Sequence, residues 1–246
     1  MTRIAVVTGG TGGIGTATCQ ALCQQGRRVV ATYHAGNHAG AAAWQQAMQA
    51  RSFEVVVYPV DISDFVSCQE LIRRVTADIG AVDILVNNAG MTRDSTLKKM
   101  SVENWLAVIN TDLNGVFNMT RQVFDGMLMR GWGRVVNISS VNGQKGQFGQ
   151  ANYSAAKAGV HGFTMAAAQE GARKGVTVNT ISPGYIGTEM TLAVAEEVRQ
   201  QIIAKIPVGH MGTPDDIARA VAFLCDDAAG FITGADFSIN GGQHMS

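Results

Sequence analysis

A tyrosine and a lysine stand four residues apart in the segment NYSAAK, at Tyr153 and Lys157. On a helix, residues with this spacing lie on one face. Tyrosine is a weak acid with an ordinary pKa of about 10, and a neighbouring lysine cation favours the phenolate and lowers that pKa. The pair therefore predicts a general acid or base at Tyr153. Alone it is weak evidence, because such pairs also occur by chance on solvated helices.

A glycine-rich segment, TGGTGGIG, occupies residues 8–15 and separates an apolar run from a helical pattern. Glycines permit a tight turn and let backbone N–H groups approach a phosphate, and a helix N-terminus favours an anion. The spacing of Gly9, Gly13 and Gly15 is one residue looser than GxGxxG. The position between a strand and a helix is the context that the motif requires, so we expect phosphate binding rather than a plain turn.

The second predicted strand ends without the acidic residue that would bind the ribose 2′-hydroxyl of NAD. It closes with Tyr33 and His34, and residues 26–53 contain no carboxylate. This absence removes a repulsion against a 2′-phosphate and favours NADP(H), although no arginine follows the strand either. Asn37 and His38 are candidate neutral hydrogen-bond donors.

The rest of the chain alternates apolar runs with helical periodicity. The apolar runs predict strands at residues 3–8, 28–33, 54–60, 82–90, 133–140, 176–184 and 234–242. The periodic segments predict helices at 13–25, 40–50, 64–79, 101–130 and 152–174, and one that begins at Thr213. The strands are β-branched runs, typical of a parallel sheet covered on both faces. Residues 1–246 are therefore predicted to form a single-domain α/β, doubly wound (Rossmann) fold with a mostly parallel, seven-stranded sheet.

Composition excludes several classes of function. The 246 residues carry no net charge, which gives nothing to attract nucleic acid or an anionic membrane. The longest apolar runs are too short to span a bilayer, and the N-terminus lacks a signal-peptide pattern. The four cysteines form no CxxC, and the five histidines show no metal-ligand spacing. We expect a cytoplasmic protein without a metal site.

Taken together, these motifs resemble the short-chain dehydrogenase/reductase family. The resemblance covers essentially the whole chain and is carried by Thr8–Gly15, the NNAG segment at Asn87–Gly90, Ser140, Tyr153, Lys157 and Pro183–Gly184. It implies that Tyr153 donates a proton to a carbonyl oxygen and that Lys157 binds the nicotinamide ribose. It also implies that Ser140 hydrogen-bonds the same oxygen; from its position alone, Ser140 would be a serine that caps a turn at a strand end.

The resemblance also implies a set of residues that contact a nicotinamide cofactor. The predicted contacts are Gly9, Gly12, Gly13, Ile14, Gly15, Tyr33, His34, Asp61, Ile62, Asn88, Ala89, Gly90, Tyr153, Lys157, Pro183, Gly184, Ile186 and Thr188. Asp61 has an alternative interpretation as a helix N-cap. The amphipathic segment 189–205 follows the predicted nicotinamide turn, and its position suggests a lid.

One position departs from the family pattern. The family usually has asparagine before leucine in the central helix, where its main chain helps to hold a water near the lysine. This chain has Asp112, in NTDLNG. Either the backbone of Asp112 does the same work, or an ionised Asp112 side chain raises the pKa of Lys157 and strengthens its positive charge. The backbone interpretation requires fewer assumptions, and it predicts that Asp112→Asn retains most activity.

Within the family, residues 137–154, NISSVNGQKGQFGQANYS, are similar to the members that reduce acetoacetyl-CoA. The likeness implies NADPH-dependent reduction of a 3-oxoacyl-CoA to the (R)-3-hydroxyacyl-CoA by a homotetramer. The implied substrate contacts are Asp94, Ser140, Gln147, Phe148, Gln150, Tyr153, Gly184 and Tyr185. Without the resemblance, the glutamines would be interpreted as part of a hydrophilic loop.

Two alternatives remain open. A 3-oxoacyl carrier-protein reductase has the same chemistry, and it would need a basic patch near the site to bind an acidic carrier. Arg130, Arg134, Arg173 and Lys174 are the candidates for such a patch. The other alternative is a nucleotide-sensing or scaffold protein without catalysis, which the presence of all three catalytic residue types disfavours.

Overall fold

A computed structural model describes residues 2–188, 191 and 195–245. Its strands are β1 (Ile4–Val7), β2 (Arg28–Tyr33), β3 (Val55–Pro59), β4 (Ile84–Asn87), β5 (Gly133–Ile138), β6 (Val176–Pro183) and β7 (Asp236–Ile239). They form one seven-stranded sheet in the order β3-β2-β1-β4-β5-β6-β7. Every pair of neighbouring strands is parallel. The predicted fold class is confirmed.

Helices connect successive strands and lie on both faces of the sheet. They are α1 (Gly13–Gln24), α2 (His38–Ala50), α3 (Phe65–Asp78), α4 (Val102–Ile109), α5 (Gly115–Arg130), α6 (Val141–Lys145), α7 (Ala151–Gly171), α8 (Glu196–Ile203) and α9 (Pro214–Leu224). The predicted helix over residues 101–130 is interrupted by a π-helical turn at Asn110–Asn114. In that turn the Gly115 N–H donates to the carbonyl of Asn110, which is five residues earlier, whereas an α-helical N–H donates to the carbonyl four residues earlier.

The core consists of two apolar layers, one on each face of the sheet. Helices α3, α5 and α7 contribute to the first layer, which contains Leu71, Met119 and Ala168. Helices α1, α2 and α9 contribute to the second, which contains Leu22, Met48 and Ile217. The central strands β1, β4, β5 and β6 are buried on both sides, which explains why their sequences are largely continuous apolar runs instead of alternating patterns, whereas the edge strand β7 is partly exposed.

Local signals set several helix ends. Gly26, at φ 72°, follows α1 in the left-handed region that favours glycine. The Asp216 side chain accepts a hydrogen bond from the Thr213 N–H at 2.7 Å, which forms a capping box where α9 was predicted to begin. Asp64, not Asp61, caps α3, because its Oδ1 accepts from the Val66 N–H. The N-cap interpretation of Asp61 is therefore wrong.

The order of the strands determines where a ligand can bind. The chain winds outward from β1 through β2 to β3, then returns to β4 on the other side of β1. At such a switch point the connections diverge and leave a crevice beyond the carboxyl ends of the strands. The described residues contain no helix long and apolar enough to cross a membrane. Of the predicted lid, residues 189, 190 and 192–194 lie outside the described part.

Candidate active site

The crevice is a cleft of about 880 Å³ at the carboxyl ends of the strands. Every residue that was predicted to contact a cofactor lines it, as do Ser140, Gln150 and Tyr185. The cleft thus brings the glycine-rich turn and the Tyr153–Lys157 pair, which are far apart in sequence, to one place. The sequence motifs describe two ends of one site.

The glycine-rich turn leaves an open cradle at the start of α1. Gly9 has a φ of 60°, and a Cβ at Gly15 would collide with the Gly9 carbonyl oxygen and lie 2.8 Å from the Gly10 Cα. A Cβ at Gly13 would lie 2.9 Å from the Thr188 Cγ2. Side chains are excluded here, so backbone N–H groups and the helix N-terminus face the cleft, an arrangement that suits the pyrophosphate of a dinucleotide.

Asn88, directly after the neighbouring strand β4, holds this turn in place through hydrogen bonds. Its side-chain amide donates to the Thr8 carbonyl at 2.9 Å and to the Gly9 carbonyl at 3.1 Å. The Thr8 hydroxyl oxygen accepts from the backbone N–H groups of Asn88 and Ala89. The hydrogen bonds of the Asn88 amide therefore fix the shape of the turn, while Ala89 and Gly90 form the wall of the cleft beside it.

Neutral polar groups surround the end of β2. The Tyr33 hydroxyl lies 2.9 Å from the Nδ1 of His38, and the His34 Nδ1 accepts a hydrogen bond from the Gly36 N–H. Because that acceptor role uses the Nδ1 lone pair, the Nε2 of a neutral His34 carries the proton. Asp61 also lines the cleft, with its Oδ1 held by the backbone and side chain of Ser63.

Lys157 is buried and held from two sides. Its Nζ donates to the Ile138 carbonyl at 3.0 Å and lies 3.2 Å from the Asp112 Oδ2. The Tyr153 ring centroid is 5.6 Å from the same nitrogen. Burial acts to lower the pKa of Lys157, but the charge and hydrogen bonding of Asp112, together with the neighbouring Tyr153 hydroxyl, outweigh burial and raise it above its ordinary value. The lysine is therefore held in its cationic form beside Tyr153.

The π-helical turn presents Asp112 to this lysine. Asp112 is fully buried, and its other carboxylate oxygen accepts a hydrogen bond from the Met91 N–H at 2.9 Å. A Cβ on Gly90 would lie 2.8 Å from the Asp112 Oδ2, so the glycine leaves room for the ion pair. This is the geometry that the side-chain interpretation of Asp112 requires. The contribution of its backbone carbonyl stays a prediction.

Ser140 begins α6 directly after β5. Its Oγ accepts a hydrogen bond from the Asn142 N–H at 3.1 Å, so the residue does cap a short helix. The same residue lines the cleft with Tyr153. The hydroxyl proton remains available to a ligand oxygen, because an accepted bond uses a lone pair and not the O–H. The two interpretations of Ser140 are therefore compatible.

The predicted substrate residues divide into two groups. Ser140, Gln150, Tyr153, Gly184 and Tyr185 line the cleft. The others are Asp94, Gln147 and Phe148, which lie outside its lining, and Phe148 is 87% exposed. Asp94 accepts from the Gln150 amide at 2.9 Å, and the Gln150 amide oxygen accepts from Asn142, also at 2.9 Å. Substrate contact by either group stays a prediction.

The cleft also contains residues that the sequence motifs did not nominate. They are Thr11, Thr32, Val60, Ser63, Met91, Thr92, Thr111, Ile138, Ser139, Val141, Asn142 and Thr191. Most stand within a few residues of a strand end, a signal that would have found them if every such residue had been considered. Thr191 has no such signal, since its side chain reaches the site through hydrogen bonds to the Ile186 and Thr188 backbone.

The chain is similar to known dehydrogenases and reductases. The model of the short chain dehydrogenase family matches residues 3–199. The chain is 59% identical to an acetoacetyl-CoA reductase of Allochromatium vinosum, with 100% of both chains covered. It is 54% identical to an acetoacetyl-CoA reductase of Cupriavidus necator, over 99% of this chain and 98% of the relative. A 3-oxoacyl-[acyl-carrier-protein] reductase FabG of Vibrio cholerae is 41% identical over the same shares.

Proposed function

The chain belongs to the short chain dehydrogenase family, and on that premise we propose that it reduces acetoacetyl-CoA to (R)-3-hydroxybutyryl-CoA with NADPH. The observation that carries this proposal is the buried Lys157 beside Tyr153 in a cleft whose other end is a glycine cradle. The names of the full-length relatives from Allochromatium vinosum and Cupriavidus necator support the choice of substrate.

Three side chains would carry out the protein's part of the reaction. Tyr153 would donate its hydroxyl proton to the carbonyl oxygen at C3, and Ser140 would donate a hydrogen bond to the same oxygen as negative charge develops. Lys157 would stabilise the tyrosinate that remains, because a cation nearby favours the phenolate. A bound nicotinamide would supply the hydride that adds to the carbonyl carbon.

The preference for NADPH rests on the residues that follow β2. Tyr33, His34 and His38 offer neutral donors there, and the segment contains no carboxylate to repel a 2′-phosphate. Asp61 is the acidic residue on this side of the cleft, and its Oδ1 is engaged by Ser63. The rest of the cofactor would lie along the cradle and the Asn88–Gly90 wall, with Lys157 binding the nicotinamide ribose.

The acyl-CoA would enter from the side of the loop between α6 and α7. Gln147 and Gln150 would offer hydrogen bonds to the thioester and pantetheine amides, and Phe148 and Tyr185 would cover the acyl chain. Asp94 would act through Gln150, whose amide it already binds. Most of these residues belong to a segment that also begins at the proposed catalytic serine, so substrate recognition and chemistry share one connection of the fold.

Reduction of a carrier-protein thioester is the second candidate, because the FabG relative has a similar length and chemistry. The sequence-based prediction of a basic patch near the site, which would bind an acidic carrier protein, is wrong. Arg134 is buried and donates to backbone carbonyls, and Arg130 bonds to the Val82 carbonyl and Asp83. Arg134 is the second residue of β5, Arg130 precedes that strand, and Arg173 and Lys174 precede β6, so all four lie at the amino ends of the strands, away from the cleft.

We further propose that the protein is a cytoplasmic homotetramer that supplies polyhydroxybutyrate synthesis. An exposed aromatic pair supports self-association, since Phe65 and Phe117 stack with ring centroids 6.4 Å apart while each stays more than 40% exposed. Light scattering of the purified protein would give the mass. A monomer at micromolar concentration would contradict the tetramer without affecting the proposed chemistry.

The experiment for the proposed function compares thioesters. Initial rates would be measured with NADPH on acetoacetyl-CoA and on an acetoacetyl carrier protein, and the product alcohol would be resolved by chiral chromatography. We expect a higher kcat/KM on the CoA thioester and a single (R) product. A preference for the carrier protein would favour the second candidate, and cofactor binding without turnover of either thioester would indicate a non-catalytic protein.

A further inference from the structure

A chain of hydrogen bonds runs behind the cleft from α7 to the edge strand β7. The Ser139 hydroxyl donates to the backbone carbonyl of Lys157 at 2.9 Å, and its oxygen lies 3.0 Å from the Nε2 of His161. The Nδ1 of His161 lies 3.2 Å from the Asp236 Oδ2. Ser139, His161 and Asp236, which we call the rear chain, therefore connect the catalytic helix to the far side of the sheet.

Asp236 joins further elements to the rear chain. Its Oδ1 accepts from the Ser182 hydroxyl at 2.7 Å, and its Oδ2 accepts from the Gln144 amide, also at 2.7 Å. Burial acts to raise the pKa of Asp236, but the hydrogen bonds from His161, Ser182 and Gln144 hold it below its usual value. One carboxylate thus ties β6, α6 and α7 to β7.

The order Ser–His–Asp invites comparison with a hydrolase triad, but Ser139 is not a nucleophile here. Its hydroxyl proton is held by the Lys157 carbonyl, and the residue is 3% exposed. Its neighbour Ser140 lies in extended backbone, where successive side chains point to opposite sides. The Ser139 hydroxyl is thus directed into the protein, away from the position that Ser140 occupies at the cleft.

The rear chain contacts both segments that bear reacting groups. Ser139 directly precedes Ser140, and its hydroxyl binds the carbonyl of Lys157, one turn after Tyr153. Gln144 belongs to α6, the helix that Ser140 begins. Helix α6 also packs closely on α7, because a Cβ on Gly143 would lie 2.8 Å from the Lys157 carbonyl carbon. The relative position of Ser140 and Lys157 therefore depends on contacts that the rear chain makes.

We propose that Ser139, His161 and Asp236 are positioning residues that hold the Ser140 segment and the Tyr153–Lys157 helix in the mutual arrangement needed for proton donation. None of the three carries out a chemical step. The inference rests on the proposed function, since it concerns how the same site is held. It predicts that loss of the rear chain lowers kcat, because small displacements of reacting groups cost rate, up to about 10²-fold.

A second polar network under α7 provides a matched control. The Thr180 hydroxyl donates to Thr164 of α7, and Asn137 donates to the same Thr164 oxygen. This network also joins the helix to the sheet, and it is more fully buried than the rear chain, whose His161 and Asp236 side chains are 19% and 27% exposed. It bonds to neither the Lys157 carbonyl nor α6. Thr180→Val therefore removes a helix-to-sheet hydrogen bond without disturbing the rear chain.

The test is a set of kinetic measurements with a double-mutant cycle. For Ser139→Ala, His161→Phe and Asp236→Asn we expect a fall in kcat of roughly tenfold with little change in the KM for NADPH. His161→Phe combined with Asp236→Asn should be no slower than either alone, because both break one chain. Thr180→Val should lower Tm and leave kcat within about twofold of the wild type.

Two results would overturn the proposal. The first is a kcat close to that of the wild type in all three variants. The second is a double variant whose fall in kcat equals the product of the falls in the two single variants, as expected for independent residues. A wild-type protein without turnover would instead count against the proposed function. In that case amide hydrogen exchange of residues 139–157 tests the rear chain directly, with faster exchange expected in His161→Phe than in Thr180→Val, and equal exchange contradicting it.

Discussion

The cleft has a proposed nucleotide half, formed by the glycine-rich turn, the end of β2 and Asn88–Gly90, and a proposed acyl half beside the loop between α6 and α7, and the two differ in what shapes them. The nucleotide half consists of strand ends, a helix N-terminus and glycines that exclude side chains, and its predicted residues all line the cleft. The acyl half includes a loop between α6 and α7, and Asp94, Gln147 and Phe148 lie outside the lining. A binding region formed by backbone geometry can be predicted from the fold. A binding region formed by the side chains of a loop cannot.

The comparison extends to the type of hydrogen bond in each half. In the nucleotide half, Asn88 and Thr8 bond to backbone groups directly after the ends of β1 and β4. In the acyl half, Gln150 is held by the side chains of Asp94 and Asn142. We therefore expect substitutions in the first half to affect binding strongly and substitutions in the second to affect it modestly, with the catalytic pair between them affecting kcat.

The largest effect should come from the residue at the junction of the two halves. Tyr153→Phe removes the proposed proton donor, so kcat for acetoacetyl-CoA should fall by about 10³-fold, within the range for a lost general acid. The Kd for NADPH, measured by fluorescence titration, should change little. Tyr58→Phe is the matched control, since the Tyr58 hydroxyl bonds to Asp78 and lies outside the cleft. Equal losses in both variants would contradict the role of Tyr153.

A substitution in the cradle tests the backbone-shaped half. Gly15→Ala would force its Cβ against the Gly9 carbonyl and the Gly10 Cα. We expect the Kd for NADPH to rise by roughly 10²-fold. The new Cβ would force the closely packed turn to move, and even a small displacement of the backbone N–H groups would weaken their contacts with the cofactor. Gly162→Ala, on an exposed part of α7 with open space around the new Cβ, is the control and should leave Kd unchanged. Normal NADPH binding by Gly15→Ala would show that the cradle is not the cofactor site.

The end of β2 can be changed without touching the cradle. His34→Asp places a carboxylate where the strand ends, so it should weaken NADPH and favour NADH. The ratio of kcat/KM values for the two cofactors should move by roughly tenfold towards NADH, equivalent to about 1.4 kcal/mol. A ratio that does not move would mean that the 2′-phosphate lies elsewhere.

A smaller effect is expected in the loop-shaped half. Phe148→Ala removes an exposed ring that the acyl-CoA would cover, so the KM for acetoacetyl-CoA should rise by about fivefold while the Kd for NADPH stays the same. The modest size reflects partial burial of one aromatic side chain. An unchanged KM would remove Phe148 from the substrate contacts and sharpen the contrast between the halves.

The smallest effect at neutral pH should follow from Asp112→Asn, which restores the residue usual in the family. We expect kcat at pH 7 to stay within about threefold, because Lys157 keeps its bond to the Ile138 carbonyl. The carboxylate raises the pKa of Lys157, so without it burial dominates and the cation is lost at lower pH. The alkaline limb of the pH–rate profile should therefore move to lower pH.

The profile also separates the two interpretations of Asp112. An unchanged alkaline limb would indicate that Asp112 acts only through its backbone. A large fall in kcat at pH 7, with unaltered folding, would contradict both the backbone interpretation and the modest effect expected here. The matched control is Asp125→Asn on α5, whose partner Arg121 is exposed and lies outside the lining of the cleft.

How much the sequence could predict follows the same division between backbone and side chains. The alternation of apolar runs and helical patterns predicted the parallel sheet, because burial on both faces imposes that pattern on each strand. The proximity of Tyr153 and Lys157 was predictable because helical spacing places them on one face, whereas their proposed role came from the family resemblance. The ion pair between Asp112 and Lys157 was harder to predict, because it depends on a π-helical turn that leaves no periodic pattern in the sequence.

The remaining contacts depend on pairs of residues far apart in sequence. Ser139, His161 and Asp236 meet only because β5 and β7 lie on either side of β6 in the folded sheet. The burial of Arg134 likewise depends on packing against the turn at Asp226 and Asp227, so a surface patch was wrongly expected there. Neither arrangement leaves a local pattern in the chain.

The most direct test of the central proposal is a comparison of kcat/KM for acetoacetyl-CoA reduction by the wild-type protein with NADPH and with NADH. A value at least tenfold higher with NADPH, with loss of turnover in Tyr153→Phe, is the expected result. Equal or faster reduction with NADH would contradict the assignment of the β2 end to a 2′-phosphate. Turnover that survives in Tyr153→Phe would contradict the proposed proton donor itself.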